Sequence, residues 1–531
     1  MFQKLKGVKI PFWIRMVIYL GLGVLFVSYN VRLFYIMGMD SDYANLILEA
    51  SDIVRGNFFL NDWIQTGISF LTTDLIYYII AVAVKGATRE AYWLSSGLMT
   101  SCMVFSAIPL LRIGKNRKHK LTEDIVFWGI CGIPSIVGLN LLRAHTGVYV
   151  WIFIAVACFY KIYVDENNKY SALFVFSLVM GTIGDAVILL VAVLPMLLYC
   201  FRDLLSNKPK ALKKDILLAG LAVGSVIIGA LLDKLYYLIG AATKNSYLEE
   251  RAFEDFSSWP NKIGVYLHAV FGLNSADFTQ QSLMSVNTLF FFIKVLVVLF
   301  SFVIITIHIV HFIKGTRGDV IGELLSLGFV LISIIFIITN ISININSARY
   351  IGACPVLFAL LIVRFMRDKE VFDKRFAMKR IPVWIVAGVL SIVLLIHAFM
   401  PLSQLQVPDS EQERVVSVLE ENGLKCGYAN FWDSSLITVL SEGHVKIRAV
   451  SMTESMDLYA WGCKKKWYKK HANFVLVRNP EWTPVGISYD NSIRILGEPE
   501  RVIDFENYKV LVYGYDISEK INWDNFYQLN L

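Results

Sequence analysis

The chain has 531 residues, of which 56% are hydrophobic and 18% are charged, and its formal net charge is +7. A typical soluble domain is about 45–50% apolar and about 25% charged, so this composition excludes an ordinary soluble protein and predicts a chain embedded in a lipid bilayer. The basic residues lie in loops between apolar runs, where membrane orientation accounts for them, and we expect no nucleic-acid partner.

The N-terminal segment carries only basic charges ahead of a long apolar run from residue 14 to residue 36. The small residues that mark a signal-peptide cleavage site do not follow this run, so we expect an uncleaved first transmembrane helix. The lysines before the run predict a cytoplasmic N-terminus.

The first acidic residues of the chain, Asp40 and Asp42, come directly after this apolar run. Apolar residues recur at helical spacing from Ser41 to Val54, which predicts an amphipathic helix at the membrane interface. The polar face of this helix consists of Asp42, Asn45, Glu49 and Asp52. Two interpretations are open. The acids cap the helix and meet its dipole, or they border a membrane cavity, where a carboxylate serves as a general base or binds Mg²⁺ or Mn²⁺.

Short basic loops stay in the cytoplasm, so the Lys and Arg clusters serve as fixed points for the topology. With these points, the apolar runs give about 11 crossings and place the C-terminal tail outside the cytoplasm. Residues 67–84 are predicted to lie at the outer interface, because this run is short and contains Asp74. The predicted crossings are 14–36, 92–111, 123–141, 148–164, 170–183, 186–201, 216–239, 289–313, 320–340, 350–365 and 382–400.

The outer turn at residues 340–350 ends in Arg349 and Tyr350, where the chain re-enters the bilayer. An interfacial arginine commonly extends toward the lipid headgroups, which needs no further function. A guanidinium also binds phosphate oxygens through two parallel hydrogen bonds and stays charged, so Arg349 is a candidate clamp for a phosphate. Tyr350 is a candidate substrate contact beside it.

Four further polar residues fall in predicted outer segments, where they are candidates for lining the same cavity. Asp74 lies in the outer loop 37–92, Arg143 and His145 in one turn, and Asp185 in another. Structural roles such as helix capping are the alternative for each of them.

The tail has the alternating pattern of a soluble domain from about residue 403 to residue 531, so we divide the chain into a transmembrane domain, 1–402, and an extracytoplasmic α/β domain. Ser410 and Glu413 form a capping-box pattern that predicts a helix ending near Gly423. Strands are predicted at 426–429, 445–450, 474–479 and 508–515, and a second helix at 433–440. The tail contains no recognisable catalytic motif.

A first span followed by an outer loop with an acidic pair, in 38-GMDSDYANLILEASDIVRGNFFLNDW-63, resembles the glycosyltransferase C superfamily. The stretch 61-NDWIQTGISFLTTDLIYYIIAVAVKG-86 is similar to the continuation of that loop, and 347-SARY-350 to the late re-entry turn. These enzymes are polytopic and use polyprenyl-phosphate-linked sugars. The resemblance implies that Asp40 or Asp42 is the general base and that Arg349 contacts the donor phosphate.

The sequence therefore predicts a multi-pass cell-membrane glycosyltransferase of the bacterial type. It would transfer a sugar from a polyprenyl-phosphate donor to a hydroxyl of a glycan, lipid or protein on the outer face. An inverting single displacement with an Asp base is expected. The alternatives are a transporter or flippase of a lipid-linked or anionic substrate, and a non-catalytic receptor. A divalent cation is left open.

Overall fold

Helices account for most of the first 400 residues. The structure, a computed structural model, describes residues 12–114, 121–131, 142–205, 209–240, 243–244, 252–277, 282, 284–316, 318–342, 344–367, 380–399, 406–407, 409–479 and 487–527. The helices of this part are α1 (Phe12–Phe34), α2 (Ser41–Val54), α3 (Leu75–Lys85), α4 (Arg89–Arg112), α5 (Leu121–Cys131), α6 (Gly147–Tyr163), α7 (Ser171–Gly184), α8 (Leu194–Leu205), α9 (Pro209–Gly240), α10 (Trp259–Leu273), α11 (Val286–Ile313), α12 (Val320–Ile338), α13 (Cys354–Arg367) and α14 (Arg380–Phe399).

Four of the described helices, α4, α9, α11 and α12, are long and apolar enough to cross a bilayer. The 3-10 helix Ile345–Ile351 and α13 together meet the same criteria as one span bent by 45°, which gives five. These apolar helices support a membrane protein, but the prediction of about 11 crossings is wrong for the described residues.

The excess arises because apolar runs were counted as spans although several of them fold into short helices. The runs predicted at 148–164 and 170–183 form α6 and α7, of 17 and 14 residues, whereas a crossing needs about 20. The run at 186–201 passes through the π-helical segment Leu189–Val193 and continues directly into α8. Residues 132–141 and 400, which belong to two more predicted crossings, lie outside the described residues, as do most of the basic clusters at 112–120 and 364–380.

The run at residues 67–84, which was predicted not to cross, contains the 11-residue helix α3. A helix of this length extends only about 16 Å, roughly half of the hydrocarbon core. The prediction that this segment is no full crossing is confirmed by its length. Its position relative to the bilayer remains a prediction.

Close approach of helices in the core depends on glycine at defined points. A Cβ atom on Gly97 of α4 would lie 2.6 Å from the Val31 backbone nitrogen of α1, so these two backbones touch. A Cβ atom on Gly184, at the end of α7, would lie 2.5 Å from Thr73 Cγ2. Small residues permit such backbone contacts between helices in membranes.

The tail forms a seven-stranded sheet with strand order β10-β5-β4-β3-β7-β9-β8. Its strands are β3 (Cys426–Ala429), β4 (Lys446–Met452), β5 (Met456–Tyr459), β7 (Phe474–Arg478), β8 (Arg501–Phe505), β9 (Tyr508–Val512) and β10 (Ile521–Tyr527), and its helices are α15 (Glu411–Glu421), α16 (Phe431–Leu440) and α17 (Tyr489–Leu496). The central strand β3 pairs in parallel with β4 and β7. The predicted strands and the two predicted helices are confirmed, while β5, β8, β10 and α17 were missed.

The predicted cap of α15 is confirmed in one of its two halves. Ser410 Oγ accepts a hydrogen bond from the Glu413 backbone N–H at 3.3 Å. The Glu413 side chain does not return to the cap, because it forms an ion pair with Arg89 at the start of α4. The first tail helix is thereby attached to the helical part of the chain.

A second attachment is a small three-stranded sheet that joins distant parts of the chain. Strand β1 (Trp63–Gln65) follows α2, and it pairs in parallel with β2 (Thr243–Lys244) and antiparallel with β6 (Cys463–Lys464) of the tail. Trp63 also contacts Trp467 of the tail, with ring centroids 4.9 Å apart. The loop after the first helix and the tail are therefore packed as one unit.

Gly147, the first residue of α6, gives a test of this packing. A Cβ atom there would lie 2.6 Å from Asp74 Oδ1 and 2.6 Å from the Thr73 carbonyl carbon, so we expect Gly147→Ala to displace α3 from α6 and lower the melting temperature by several degrees. Gly220 in α9 has no atom within 4 Å of its Cβ position. Gly220→Ala is therefore the control and should leave the melting temperature unchanged or raise it slightly. Equal effects in a detergent thermal-shift assay would contradict the proposed contact.

Candidate functional site

The acidic pair begins helix α2, and Asp40 is its N-cap. Asp40 Oδ1 accepts hydrogen bonds from the backbone N–H groups of Asp42 and Tyr43, at 3.1 and 3.3 Å. The capping interpretation is therefore confirmed for Asp40. Burial and the charge of Asp42 raise the pKa of Asp40 to about 6, although Arg143 and the two N–H groups oppose this.

Arg143 connects the acidic pair to the rest of the helical core. Its guanidinium lies 3.7 Å from Asp40 Oδ2 and donates hydrogen bonds to the Gly38 carbonyl at 2.6 Å and to Tyr92 Oη at 3.0 Å. It also stacks over the Tyr43 ring, 4.5 Å from the centroid. A buried cation with this many partners fixes the residues around the start of α2 in one arrangement.

Among the described residues, the Asp42 side chain has fewer hydrogen bonds than that of Asp40. Among the described residues, its hydrogen bond comes from Trp461 Nε1 of the tail, at 3.4 Å. Burial raises the pKa of Asp42, while Arg349, Trp461 and Arg143 oppose that shift. The sequence predicted the outer turn with Arg349 to be complementary to the acidic pair, and the two are close enough to interact electrostatically.

Arg349 lies in the 3-10 helix Ile345–Ile351, directly before α13. Its Cζ atom is 5.7 Å from the centroid of the Tyr350 ring. Its Nε atom is buried and has no hydrogen-bond partner within the described part of the chain. The guanidinium therefore retains a donor that an oxyanion of a ligand would satisfy.

A second group of predicted residues surrounds the turn before α6. The buried Asp74 carboxylate accepts hydrogen bonds from the backbone N–H groups of His145 and Gly147, both at 2.7 Å. His145 Nδ1 lies 2.6 Å from Asp185 Oδ2, and both side chains are buried. Asp185 Oδ1 also accepts from the Val187 backbone N–H at 3.0 Å, so this acid caps the next segment of the chain.

Tyr350 joins the two groups. Its ring packs against the His145 ring with centroids 4.4 Å apart, and its carbonyl accepts a hydrogen bond from Tyr149 Oη at 2.7 Å. All the predicted site residues thus belong to one connected cluster, which is called the eight-residue cluster below. Its members are Asp40, Asp42, Asp74, Arg143, His145, Asp185, Arg349 and Tyr350.

Several residues of this region were missed by sequence reasoning. Tyr43 and Tyr92 contact Arg143. The helical spacing placed Tyr43 on the apolar face of α2, and Tyr92 was only the first residue of a predicted crossing. Trp461 is separated from Asp42 by 419 positions, and no local pattern indicated their contact. Another is Gln65, whose Nε2 donates to the buried Glu49 carboxyl at 3.2 Å.

The acidic pair is a poor divalent-cation site. Asp40 Oδ1 is bound by two N–H groups and Oδ2 faces Arg143, so its oxygens are directed at cationic partners or hydrogen-bond donors. No group of three or more His, Cys, Asp or Glu side chains suited to a metal occurs among the described residues. The residues present therefore do not fit a bound Mg²⁺ or Mn²⁺, which needs several free oxygen ligands.

A separate cleft of about 620 Å³ lies at the far end of α4, where its lining includes Arg112, Lys161 and Asp165. Tyr92 and Arg112 are 20 residues apart on α4, which is a distance of about 30 Å. The cleft shares no residue with the eight-residue cluster. It is therefore not part of the candidate site.

The chain matches no protein-family model, and no protein of curated function is similar to it at a significant level. The resemblance to the glycosyltransferase C superfamily accordingly stays an expectation from short motifs. The function of this chain therefore has to be inferred from the geometry of its own residues.

Glu49 allows a test of how deeply the polar face of α2 is buried. Burial raises the pKa of Glu49 from its ordinary value of 4.5 to about 8. A raised folded-state pKa of an acid lowers stability progressively as the pH rises between these two values, because the unfolded chain releases the proton first. Glu49→Gln cannot ionise, so we expect its melting temperature to exceed that of the wild type by a margin that grows from pH 5 to pH 8.

The matched control is Glu498→Gln in the exposed part of the tail, for which no such growing margin is expected. Thermal-shift curves at several pH values measure the melting-temperature difference from the wild type for both variants. A Glu49→Gln margin that stays constant with pH would show that the carboxyl is in contact with water.

Proposed function

We propose that this protein is a membrane glycosyltransferase that moves a sugar from a polyprenyl-phosphate donor to an acceptor hydroxyl on the outer face of the cell membrane. The observation that carries this proposal is the Asp42 carboxylate, half-buried and within electrostatic reach of Arg349, whose Nε has no hydrogen-bond partner among the described residues. A base and a phosphate-binding cation side by side are the two groups that this reaction requires. The resemblance of the acidic loop and of 347-SARY-350 to the glycosyltransferase C superfamily points to the same chemistry.

The reaction is a single displacement at the anomeric carbon. Asp42 takes the proton of the acceptor hydroxyl, and the hydroxyl oxygen forms a bond to the anomeric carbon. The bond from that carbon to the phosphate oxygen breaks, and its electron pair stays on the departing polyprenyl phosphate. One displacement inverts the configuration of the anomeric carbon.

The geometry favours Asp42 over Asp40 as the base. Asp40 Oδ1 is occupied by the N–H groups of the first turn, and protonation there would weaken the cap of α2. Among the described residues, the Asp42 side chain has one hydrogen bond, from Trp461, which an incoming hydroxyl can replace. Asp40 and Arg143 then act as positioning residues that fix the start of α2.

Arg349 stabilises the negative charge that develops on the departing phosphate oxygen. A guanidinium suits this role because it offers two parallel donors to phosphate and stays protonated at every working pH. Tyr350 and the His145–Asp185 pair stabilise the 3-10 helix that carries Arg349, because the Tyr350 ring packs on the His145 ring and His145 is paired with Asp185. They hold Arg349 in place rather than contact the reacting atoms.

The first experiment measures the release of polyprenyl phosphate by the full-length protein in lipid, with a panel of polyprenyl-phosphate sugars and with water or simple alcohols as acceptors. Asp42→Asn should lower turnover by about 10²–10⁴-fold, because it removes a general base. Asp40→Asn should lower it by less than about tenfold, since Asn is an equally good N-cap. Arg349→Ala should weaken both turnover and donor binding.

Asp504→Asn is the matched acidic control, since Asp504 is an exposed residue of the tail that pairs with Lys509. It should leave turnover unchanged. Movement of the intact donor across the bilayer without any release would contradict the proposal and indicate a flippase or transporter. Equal losses for Asp40→Asn and Asp42→Asn would contradict the assignment of the base.

A chelator provides an independent test of the site. Because the oxygens of Asp40 are already engaged by donors and by Arg143, we expect turnover in excess EDTA to stay within about twofold of the untreated value. The measurement is polyprenyl-phosphate release before and after chelation, followed by addition of Mg²⁺ or Mn²⁺. Activity that is lost with EDTA and restored by either ion would overturn this expectation.

A further inference from the structure

A segment of the tail lies against the polar face of α2, where Asn45 and Glu49 are buried and Asp42 and Asp52 are half-buried. This covering segment, residues 459–464, runs along the helix so that Trp461 lies on Asp42, Gly462 on Asn45 and Lys464 on Asp52. The Lys464 ammonium contacts Asp52 Oδ2 at 2.5 Å, and β6 is held by its pairing with β1. The contact is therefore continuous over about three turns of the helix.

Polar atoms in the middle of this contact have no hydrogen-bond partner among the described residues. Asn45 is only 3% exposed, and within the described residues neither its Oδ1 nor its Nδ2 has a hydrogen bond. Gln65 donates through its amide nitrogen to Glu49, and its buried Oε1 has no partner in the described part of the chain. A buried polar group without a partner destabilises the fold, so several of them are retained together only where something else compensates.

The donor and acceptor pattern of these groups indicates the kind of ligand. A carboxamide offers both N–H donors and a carbonyl acceptor, and sugar hydroxyls pair with both. Burial raises the pKa of Glu49 to about 8, which favours its uncharged form at neutral pH, and the Lys464 charge is already paired with Asp52. The middle of the face therefore suits a neutral ligand with many hydroxyl groups rather than a phosphate.

The tail segment already makes the contact that an acceptor would make. Trp461 Nε1–H donates to Asp42 Oδ1, which is the atom that takes the acceptor proton in the proposed reaction. An acceptor hydroxyl would replace this donor when the covering segment moves aside, and the indole ring would then stack against a sugar ring. Gly462 permits the close approach, with φ of +57° and its Cβ position 2.6 Å from Asn45 Nδ2.

We propose that the polar face of α2 together with the covering segment is the acceptor site, that Asn45 and Trp461 bind the acceptor, and that the acceptor is a neutral glycan. This inference rests on the proposed function. It places the acceptor on one side of Asp42 and the donor phosphate, bound by Arg349, on the other. The covering segment thereby determines which acceptors reach the base.

The test uses saturation-transfer NMR with the full-length protein in lipid nanodiscs, titrated with neutral methyl glycosides of hexoses, N-acetylhexosamines and pentoses, and with a hexose phosphate for comparison. At least one neutral glycoside should bind to the wild type at millimolar concentration. Asn45→Leu should weaken that binding by about tenfold or more, because it removes the donors and the acceptor of the amide. Trp461→Ala is the second variant and should weaken it through lost stacking.

Asn507→Leu, at an exposed position of the tail, is the matched control and should bind as the wild type does. Asn45→Leu should also melt at the same or a higher temperature, since it removes unpartnered polar atoms from a buried position. A purely structural role for Asn45 would instead lower the melting temperature and leave glycoside binding unchanged.

The inference is overturned if no neutral glycoside binds, or if Asn45→Leu binds the glycoside like the wild type. The hexose phosphate has a second site available at Arg349, so its binding should not change in Asn45→Leu. Donor release measured on the same wild-type sample separates the two proposals. Release of polyprenyl phosphate without glycoside binding would reject the acceptor site alone. Glycoside binding without release from any donor would reject the transferase and leave a sugar-binding site.

Discussion

The arrangement of the site depends on one buried carboxylate. Asp74 accepts the backbone N–H groups of His145 and Gly147, and these bonds hold the turn before α6 in an unusual shape in which His145 has φ of +58°. From this turn Arg143 reaches Asp40, while His145 reaches Asp185 and packs on Tyr350. Without Asp74, two backbone N–H groups would be buried without this acceptor, and the turn that carries Arg143 and His145 would lose the hydrogen bonds that hold its shape.

The apolar and polar faces of helix α2 contact different parts of the protein. Its apolar face, which includes Tyr43 and Ile47, packs into the helical core, and its polar face receives the tail. Ser41 strengthens this attachment, since its hydroxyl donates to the Trp432 carbonyl and accepts from the Leu436 N–H of the tail helix α16. The tail is thus bound to the acidic loop at several points, which explains why a domain without a catalytic motif is nevertheless part of the site.

The sequence predicted local features well and long-range ones poorly. Asp40 as a helix cap, the extent of α2 and the Ser410 cap all follow from interactions within a few residues, and all are confirmed. The number of crossings was wrong because several apolar runs, such as those of α6 and α7, form helices too short to cross, and hydropathy alone does not show where a helix ends. The contact of Trp461 with Asp42 could not be predicted, because the two residues are far apart in the sequence and no local pattern around either of them indicates the other. The closeness of Arg349 to Asp42 was anticipated only through the predicted topology, which placed both on one face.

For the proposed sugar transfer, the surroundings of Asp42 favour one displacement rather than two. A single displacement needs the base beside the acceptor and the phosphate-binding group on the opposite side of the anomeric carbon. Asp42 interacts electrostatically with Arg349 and accepts a hydrogen bond from the Trp461 indole, and within the described residues the nearby Asn45 amide has no hydrogen-bond partner. A two-step route would instead need a second carboxylate free to attack the sugar. The nearest acid in sequence, Asp40, is held by the N–H groups of α2 and by Arg143, so its oxygens are directed away from that task.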